Sequence, residues 1–199
     1  TDMARDLGGL LDHLGIDRAH FVAHSFGGVV ALKFACQQPQ RVRSLVLADS
    51  HIAAVRRLGP QREWAHWQGI QSVLDRHGLD LDTRDPYFGY RLITRMAQWQ
   101  LQGTEVPAEL AELVGPLSGA SAKQVARQWL ALMETTSAAA EMMGDDGLGL
   151  EELRELRFPI LALYGENSHA RLTGEALLEV WPQAEFRGVR GAGHFFPSS

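Results

Sequence analysis

The order of apolar and polar positions predicts helices that alternate with buried strands at both ends of the chain. Apolar residues at helical spacing between Met3 and Leu14 predict an amphipathic helix over residues 2–14, and Gly15 follows it as a C-cap. Short apolar runs predict strands at residues 19–24, 44–48, 159–164 and 185–189. Strands of this kind that alternate with helices indicate an α/β fold, in which a mostly parallel sheet has flanking helices.

The middle of the chain has a different pattern. Between about residues 51 and 149, helical periodicity replaces the short apolar runs, and Trp, Met and Leu are frequent. So much apolar surface would not remain solvated in a linker. We therefore predict an inserted α-helical segment at residues 52–149, between two parts of one α/β core at residues 1–51 and 150–199.

Composition and charge exclude several kinds of partner. The chain has 19 Lys and Arg residues against 24 Asp and Glu, so it lacks the basic surplus that binds nucleic acid. No apolar run approaches the ~18 residues of a membrane span. The single cysteine, Cys36, cannot form an internal disulfide, which favours a reducing, cytoplasmic setting. The sequence contains no metal-ligand cluster, phosphate-binding loop or redox motif, so we expect no cofactor.

The first candidate catalytic residue is Ser25, which lies between a short apolar strand and a long apolar helix. A nucleophilic serine needs an adjacent base and a position outside its helix, and a sharp strand-to-helix turn provides that position. The turn is tight enough to require small residues two before and two after the serine, as in G-x-S-x-G. Ala23 and Gly27 stand there, and Gly28 follows. Ser25 is the predicted nucleophile, and the alternative is a serine that only caps the helix.

These residues resemble the nucleophile elbow of the α/β-hydrolase superfamily, of the serine esterase and thioesterase type with a helical cap. The resemblance implies that the backbone N–H of Phe26 is one oxyanion-hole donor. It also implies that residues 52–149 cap the active site and that residues 1–51 and 150–199 are a partial α/β-hydrolase core. The family's early strands and its second oxyanion donor would precede Thr1. We therefore expect a missing N-terminal segment, or another chain, to complete the sheet.

The superfamily places its histidine base in a glycine-flanked loop after the last strand, and the segment around His194 resembles that loop. Gly191 and Gly193 flank Ala192 just before the histidine. Glycines allow the backbone to turn so that the imidazole reaches the strand ends. The order of nucleophile first and histidine last also agrees with the family. The resemblance therefore assigns His194 as the general base.

The acid is the point at which this sequence departs from the family. Most members carry an aspartate in a G-E-x-D turn after the strand before last, and here Ser168 occupies that position. Haloalkane dehalogenases and the thioesterase domains of peptide and polyketide synthases place the acid one strand earlier, where this chain has Asp49. We predict Asp49 as the acid, with Glu166 as the alternative acid and a Ser-His dyad as a third possibility.

A serine nucleophile implies acyl-transfer chemistry. The predicted function is hydrolysis of an ester or thioester through an acyl-enzyme, with His194 acting first as base and then as acid. The Trp, Met and Phe residues of the insertion favour a small-molecule substrate with a mainly apolar acyl group. Two alternatives remain: a carbon–carbon bond hydrolase or lyase with the same Ser and His, and a non-catalytic binding module, which Ser168 favours.

Overall fold

A computed structural model of the chain describes residues 2–56, 64–85, 87–110, 121–144 and 146–198. The chain divides into two units, one formed by Thr1–Pro60 and Asp145–Ala192 and the other by Gln61–Gly144 and Gly193–Ser199.

The elements of the first unit up to the insertion are α1 (Asp2–His13), β1 (Ala19–His24), α2 (Phe26–Gln37), a 3₁₀ turn (Pro39–Arg41), β2 (Val42–Ala48) and α3 (Ala53–Arg56). The second unit contributes α4 (Trp64–Arg76), α5 (Phe88–Gln102), α6 (Ala122–Thr135) and α7 (Ala138–Met142). The first unit then continues with α8 (Leu150–Arg154), β3 (Ile160–Gly165), α9 (Arg171–Val180) and β4 (Glu185–Val189). A 3₁₀ turn at Phe196–Ser198 follows in the second unit.

The first unit contains a four-stranded sheet in which every neighbouring pair is parallel, in the order β1-β2-β3-β4. The α/β architecture and the four predicted strands are confirmed. The second strand begins at Val42, two residues earlier than predicted, because Arg43 is exposed and interrupts the apolar run although the backbone is already paired. The predicted C-cap is also present, since Gly15 has φ 66° directly after α1.

The core of the first unit lies between the sheet and its helices. Leu45 and Leu47 of β2 are at most 1% exposed, as are Leu32 and Phe34 of α2. Helix α2 is apolar around most of its circumference, which is typical of a helix buried in a core. Such packing fixes the start of α2, and with it the turn that leads from β1.

The second unit has its own apolar core, formed by the helices that the periodicity predicts. Helices α5 and α6 each contribute buried side chains, with Phe88, Leu92 and Met96 from α5 and Ala126 and Leu130 from α6. The indole of Trp129 donates a 2.9 Å hydrogen bond to Thr94 Oγ1, which links the same two helices.

Candidate active site

Two residues of the first unit have an unusual backbone conformation. Ser25 has φ 54° and Asp49 has φ 52°, and they are the only non-glycine residues with positive φ in the described part of the chain. Such conformations cost on the order of 1–3 kcal/mol each and cluster at functional sites, where the surrounding structure holds them. Both residues directly follow a strand, since β1 ends at His24 and β2 ends at Ala48.

The two strained residues occupy equivalent positions at the carboxyl ends of β1 and β2. His24 and Ala48 are register partners in the parallel β1–β2 pair, so Ser25 and Asp49 leave neighbouring strands at the same level. The backbone N–H of Ser25 extends the pairing by donating a 3.0 Å hydrogen bond to the carbonyl of Ala48. The carboxyl ends of parallel strands are where α/β proteins collect their chemistry.

The turn at Ser25 is tight because α2 packs directly against the end of β2. Gly28, in the first turn of α2, has no room for a side chain: an added Cβ would lie 2.0 Å from Ser50 Oγ and 2.5 Å from Ser50 Cβ. Its backbone N–H donates a 3.0 Å hydrogen bond to the carbonyl of Ser25. The glycine thus allows the helix to begin immediately after the serine.

Phe26 is the first residue of α2, so its backbone N–H lies at the positive end of the helix dipole. Backbone N–H groups in such a position can stabilise an oxyanion that forms beside the preceding residue. The oxyanion-hole role that the family resemblance implies for Phe26 stays a prediction.

Asp49 is fully buried, and its two carboxylate oxygens accept hydrogen bonds from the end of β3 and from the turn that follows it. Its Oδ2 accepts the backbone N–H of Gly165 at 2.7 Å, and its Oδ1 accepts the hydroxyl of Ser168. Tyr164 is close by, with its hydroxyl donating a 2.7 Å hydrogen bond to the carbonyl of Ser50. Burial, followed by the negative charge of Asp49, raises the pKa of Tyr164 above its usual range.

Glu166, the alternative acid, has a different environment. It is partly exposed, and its carboxylate accepts the backbone N–H of Gly191 at 3.2 Å. Its own N–H donates to the carbonyl of Val189 at 3.0 Å, and the N–H of Asn167 donates to Ala192 at 2.9 Å. These bonds join the turn after β3 to the segment that leads toward His194.

His194 is 6% exposed and belongs to the second unit, together with residues 193–199. Its ring lies in an edge-on contact with that of Phe195, with centroids 4.8 Å apart. Within the first unit, the structure brings Ser25, Phe26, Asp49 and Ser168 to the carboxyl ends of the strands.

The hydrogen bonds around Asp49 were not predicted from the sequence. Its donors Gly165 and Ser168 are 116 and 119 positions away along the chain, so no local pattern indicates them. The only signal was indirect, since the family's acid position is held by Ser168, a residue that can donate to a carboxylate but cannot replace one.

Within the described ranges, no three His, Cys, Asp or Glu side chains are grouped closely enough to hold a metal ion. None of the helices seen in these parts of the chain combines the length and apolar character that crossing a membrane requires.

Comparison with known proteins identifies the family to which this chain belongs. A sequence model of the alpha/beta hydrolase fold matches residues 1–197. A pimeloyl-[acyl-carrier protein] methyl ester esterase of Serratia marcescens is 31% identical over 193 residues, covering 89% of this chain and 63% of that protein. A 2-hydroxy-6-oxo-6-phenylhexa-2,4-dienoate hydrolase of Comamonas testosteroni is 50% identical over 44 residues, covering 22% of this chain and 15% of that protein.

Solved structures show the same fold. The carboxylesterase CesB of Bacillus subtilis superposes with a TM-score of 0.57 at 17% sequence identity, covering 97% of this chain and 59% of that one. The chain therefore spans less than two thirds of the length of these relatives. The family match over residues 1–197, together with the parallel sheet, shows that the chain belongs to the α/β-hydrolase fold family.

Proposed function

We propose that the protein is a serine hydrolase that cleaves an ester or thioester through an acyl-enzyme, with Ser25, His194 and Asp49 as its catalytic triad. The observation that carries the proposal is the pair of strained residues, Ser25 and Asp49, at neighbouring strand ends. A strained conformation persists only where the surrounding fold maintains it. Here the strained residues are a candidate nucleophile and a carboxylate, and they lie at the ends of adjacent strands.

In the proposed reaction, Ser25 Oγ attacks the acyl carbon while His194 takes its proton. The negative charge of the tetrahedral intermediate develops on the former carbonyl oxygen, where the N–H of Phe26 donates to it. The protonated His194 then transfers its proton to the departing alcohol or thiol, which leaves an acyl-Ser25 ester. Water, deprotonated by His194, attacks this ester, and the protonated His194 returns the proton to Ser25 Oγ as the acid leaves.

Asp49 would orient the imidazole and stabilise its cation. Its burial and its fixed carboxylate support this role over Glu166, whose carboxylate is partly exposed and accepts the N–H of Gly191. A buried carboxylate beside the candidate nucleophile also favours catalysis over a module that only binds.

Three observations bear on the class of substrate. The second unit contains an open groove of 570 Å³ whose lining combines apolar side chains such as Leu81 and Met133 with charged ones such as Asp82 and Arg95, which suits a small ligand that has both apolar and polar parts. The Serratia relative is named as an esterase for the methyl ester of pimeloyl-[acyl-carrier protein]. The many Trp, Met and Phe residues of segment 52–149 favour an ester with a mainly apolar acyl group as the substrate, and a capping role for that segment.

The proposal is tested with p-nitrophenyl butyrate and three variants: Ser25→Ala, His194→Ala and Asp49→Asn. Loss of a triad member is expected to lower kcat by roughly 10²- to 10⁶-fold, least for Asp49→Asn. Ser44→Ala is the matched control, because the Ser44 hydroxyl bonds to the exposed His20 on the sheet. Turnover that survives in Ser25→Ala would exclude the proposed nucleophile.

A second candidate is hydrolysis of a carbon–carbon bond by the same Ser and His. The similarity to the Comamonas hydrolase favours it. Incubation with 2-hydroxy-6-oxo-6-phenylhexa-2,4-dienoate distinguishes the two activities: Ser25-dependent loss of the compound's absorbance, without hydrolysis of the butyrate ester, would favour carbon–carbon cleavage.

We further propose that another polypeptide segment, either from a longer form of this protein or from a second chain, completes the sheet. Within the described residues β1 is hydrogen-bonded to a strand on one side alone, and Val22 on it is 79% exposed. Open edges with apolar side chains promote association. Light scattering should show the chain self-associating, and Val22→Lys should reduce that association.

A further inference from the structure

We propose that Ser168 is a positioning residue that holds the carboxylate of Asp49 in its catalytic orientation. The inference rests on the proposed function, in which Asp49 is the acid. It assigns a role to the position at which most of the family carries the acid itself.

The direction of the hydrogen bond is set by the surroundings of Ser168. Its Oγ accepts the backbone N–H of Ala170 at 3.0 Å, and its hydroxyl donates to Asp49 Oδ1. Because an ionised carboxylate can only accept, the hydroxyl proton must lie between the two side chains. Ser168 is 2% exposed and Asp49 is 0% exposed, so water does not readily substitute for this donor.

Each oxygen of the Asp49 carboxylate has its own donor, one at the end of β3 and one in the turn that follows. Gly165 N–H binds Oδ2 at 2.7 Å and the Ser168 hydroxyl binds Oδ1, so rotation of the carboxylate about its last bond would break both hydrogen bonds. A carboxylate that must orient an imidazole needs a fixed plane, and supporting hydrogen bonds of this kind provide it. Removing the hydroxyl takes away one of these two donors and leaves the Gly165 hydrogen bond to Oδ2.

The same turn also fixes the segment before the histidine. Glu166 N–H donates to Val189, Asn167 N–H donates to Ala192, and Gly191 N–H donates to the Glu166 carboxylate. Ser168 therefore lies in a four-residue turn, residues 165–168, that is hydrogen-bonded to Asp49, the proposed acid. The same turn is hydrogen-bonded to residues 189–192, which precede the proposed base His194. The turn itself is closed by a 3.1 Å hydrogen bond from Ser168 N–H to the carbonyl of Gly165.

A double-mutant cycle tests the inference, with Ser168→Ala, Asp49→Asn and the double variant assayed on p-nitrophenyl butyrate. We expect Ser168→Ala to lower kcat by roughly 10- to 100-fold while KM changes less than about twofold. We expect the double variant to be no slower than Asp49→Asn, because Ser168 acts through that carboxylate. A merely structural role would slow both backgrounds by the same factor, and that result would overturn the inference.

Two further variants sharpen the cycle. Ser50→Ala is the matched control, since the Ser50 hydroxyl is also buried beside Asp49 but makes no hydrogen bond within the described residues. Its kcat should stay within about twofold of the wild type. Ser168→Cys keeps the size of the side chain and weakens the donor, so it should be intermediate. It replaces the alanine variant if circular dichroism shows that variant to be unfolded.

The outcomes separate the inference from the function on which it rests. If Asp49→Asn is impaired but folded Ser168→Ala and Ser168→Cys both retain wild-type kcat, the positioning role is wrong and the triad stands. If turnover by the wild type does not depend on Ser25, the proposed function fails and the positioning role fails with it.

Discussion

The close approach of α2 to the end of β2 makes a quantitative prediction for Gly28→Ala. The new methyl group would lie 2.0 Å from Ser50 Oγ, 2.5 Å from Ser50 Cβ and 3.2 Å from Leu47 Cδ2. Ser50 is fully buried, and its Cβ is held directly by the backbone, so the helix or the strand end must move. Overpacking of this kind costs about 1–3 kcal/mol, which outweighs the gain of up to ~1 kcal/mol from replacing a helical glycine.

Gly27→Ala is the matched control, because a Cβ at that position meets nothing within 4 Å. We expect Gly27→Ala to leave the free energy of unfolding unchanged or raise it by up to ~1 kcal/mol, and Gly28→Ala to lower it by about 1–3 kcal/mol. Urea denaturation followed by circular dichroism measures both. In a Gly28→Ala/Ser50→Gly double variant, removal of the nearest atoms should recover about 1 kcal/mol or more of that loss. Equal stability of the two alanine variants would refute the packing described here.

Three other perturbations follow from the structure. Tyr164→Phe removes a buried 2.7 Å hydrogen bond to the Ser50 carbonyl and should lower the free energy of unfolding by about 1–2 kcal/mol, whereas an unchanged urea midpoint would contradict that bond. Arg41→Ala removes hydrogen bonds to the Asp12 carboxylate and the Ile16 carbonyl and should lower the melting temperature more than an exposed arginine does, which Arg5→Ala tests. Burial raises the pKa of Cys36 from 9.0 to about 11, so folding favours the protonated thiol; the stability this contributes is complete below pH 9 and is lost as the pH rises through 11. Wild type should therefore lose more stability than Cys36→Ala between pH 8 and pH 11, and parallel losses would contradict the shift.

Local patterns predicted the elements that position the candidate site. The apolar run before Ser25 and the glycines after it predicted the strand, the turn and the helix start. The steric reason was assigned to the wrong glycine, because an added Cβ at Gly27 would meet nothing within 4 Å, and it is Gly28 that has no room for a side chain. Parallel pairing followed from strands that alternate with helices, and the structure confirms it.

Features that depend on contacts between distant segments were not predicted. No residue near Asp49 signals its positive φ, which follows from the way its N–H pairs with Leu163 of β3 while its side chain reaches the next turn. Likewise, Gly28 was known only as a small residue, and its contact with Ser50 required the packing of α2 on β2. Hydrogen bonds that join strand ends depend on the tertiary structure and have no period in the sequence.

Covalent labelling tests the central claim most directly. A fluorophosphonate reacts with a serine only where a base and an oxyanion site activate it. After reaction with the wild type, we expect peptide mass spectrometry to find one phosphonylated residue, Ser25, and His194→Ala to label far more slowly. An unlabelled Ser25 in the folded protein, or labelling that is independent of His194, would contradict the account.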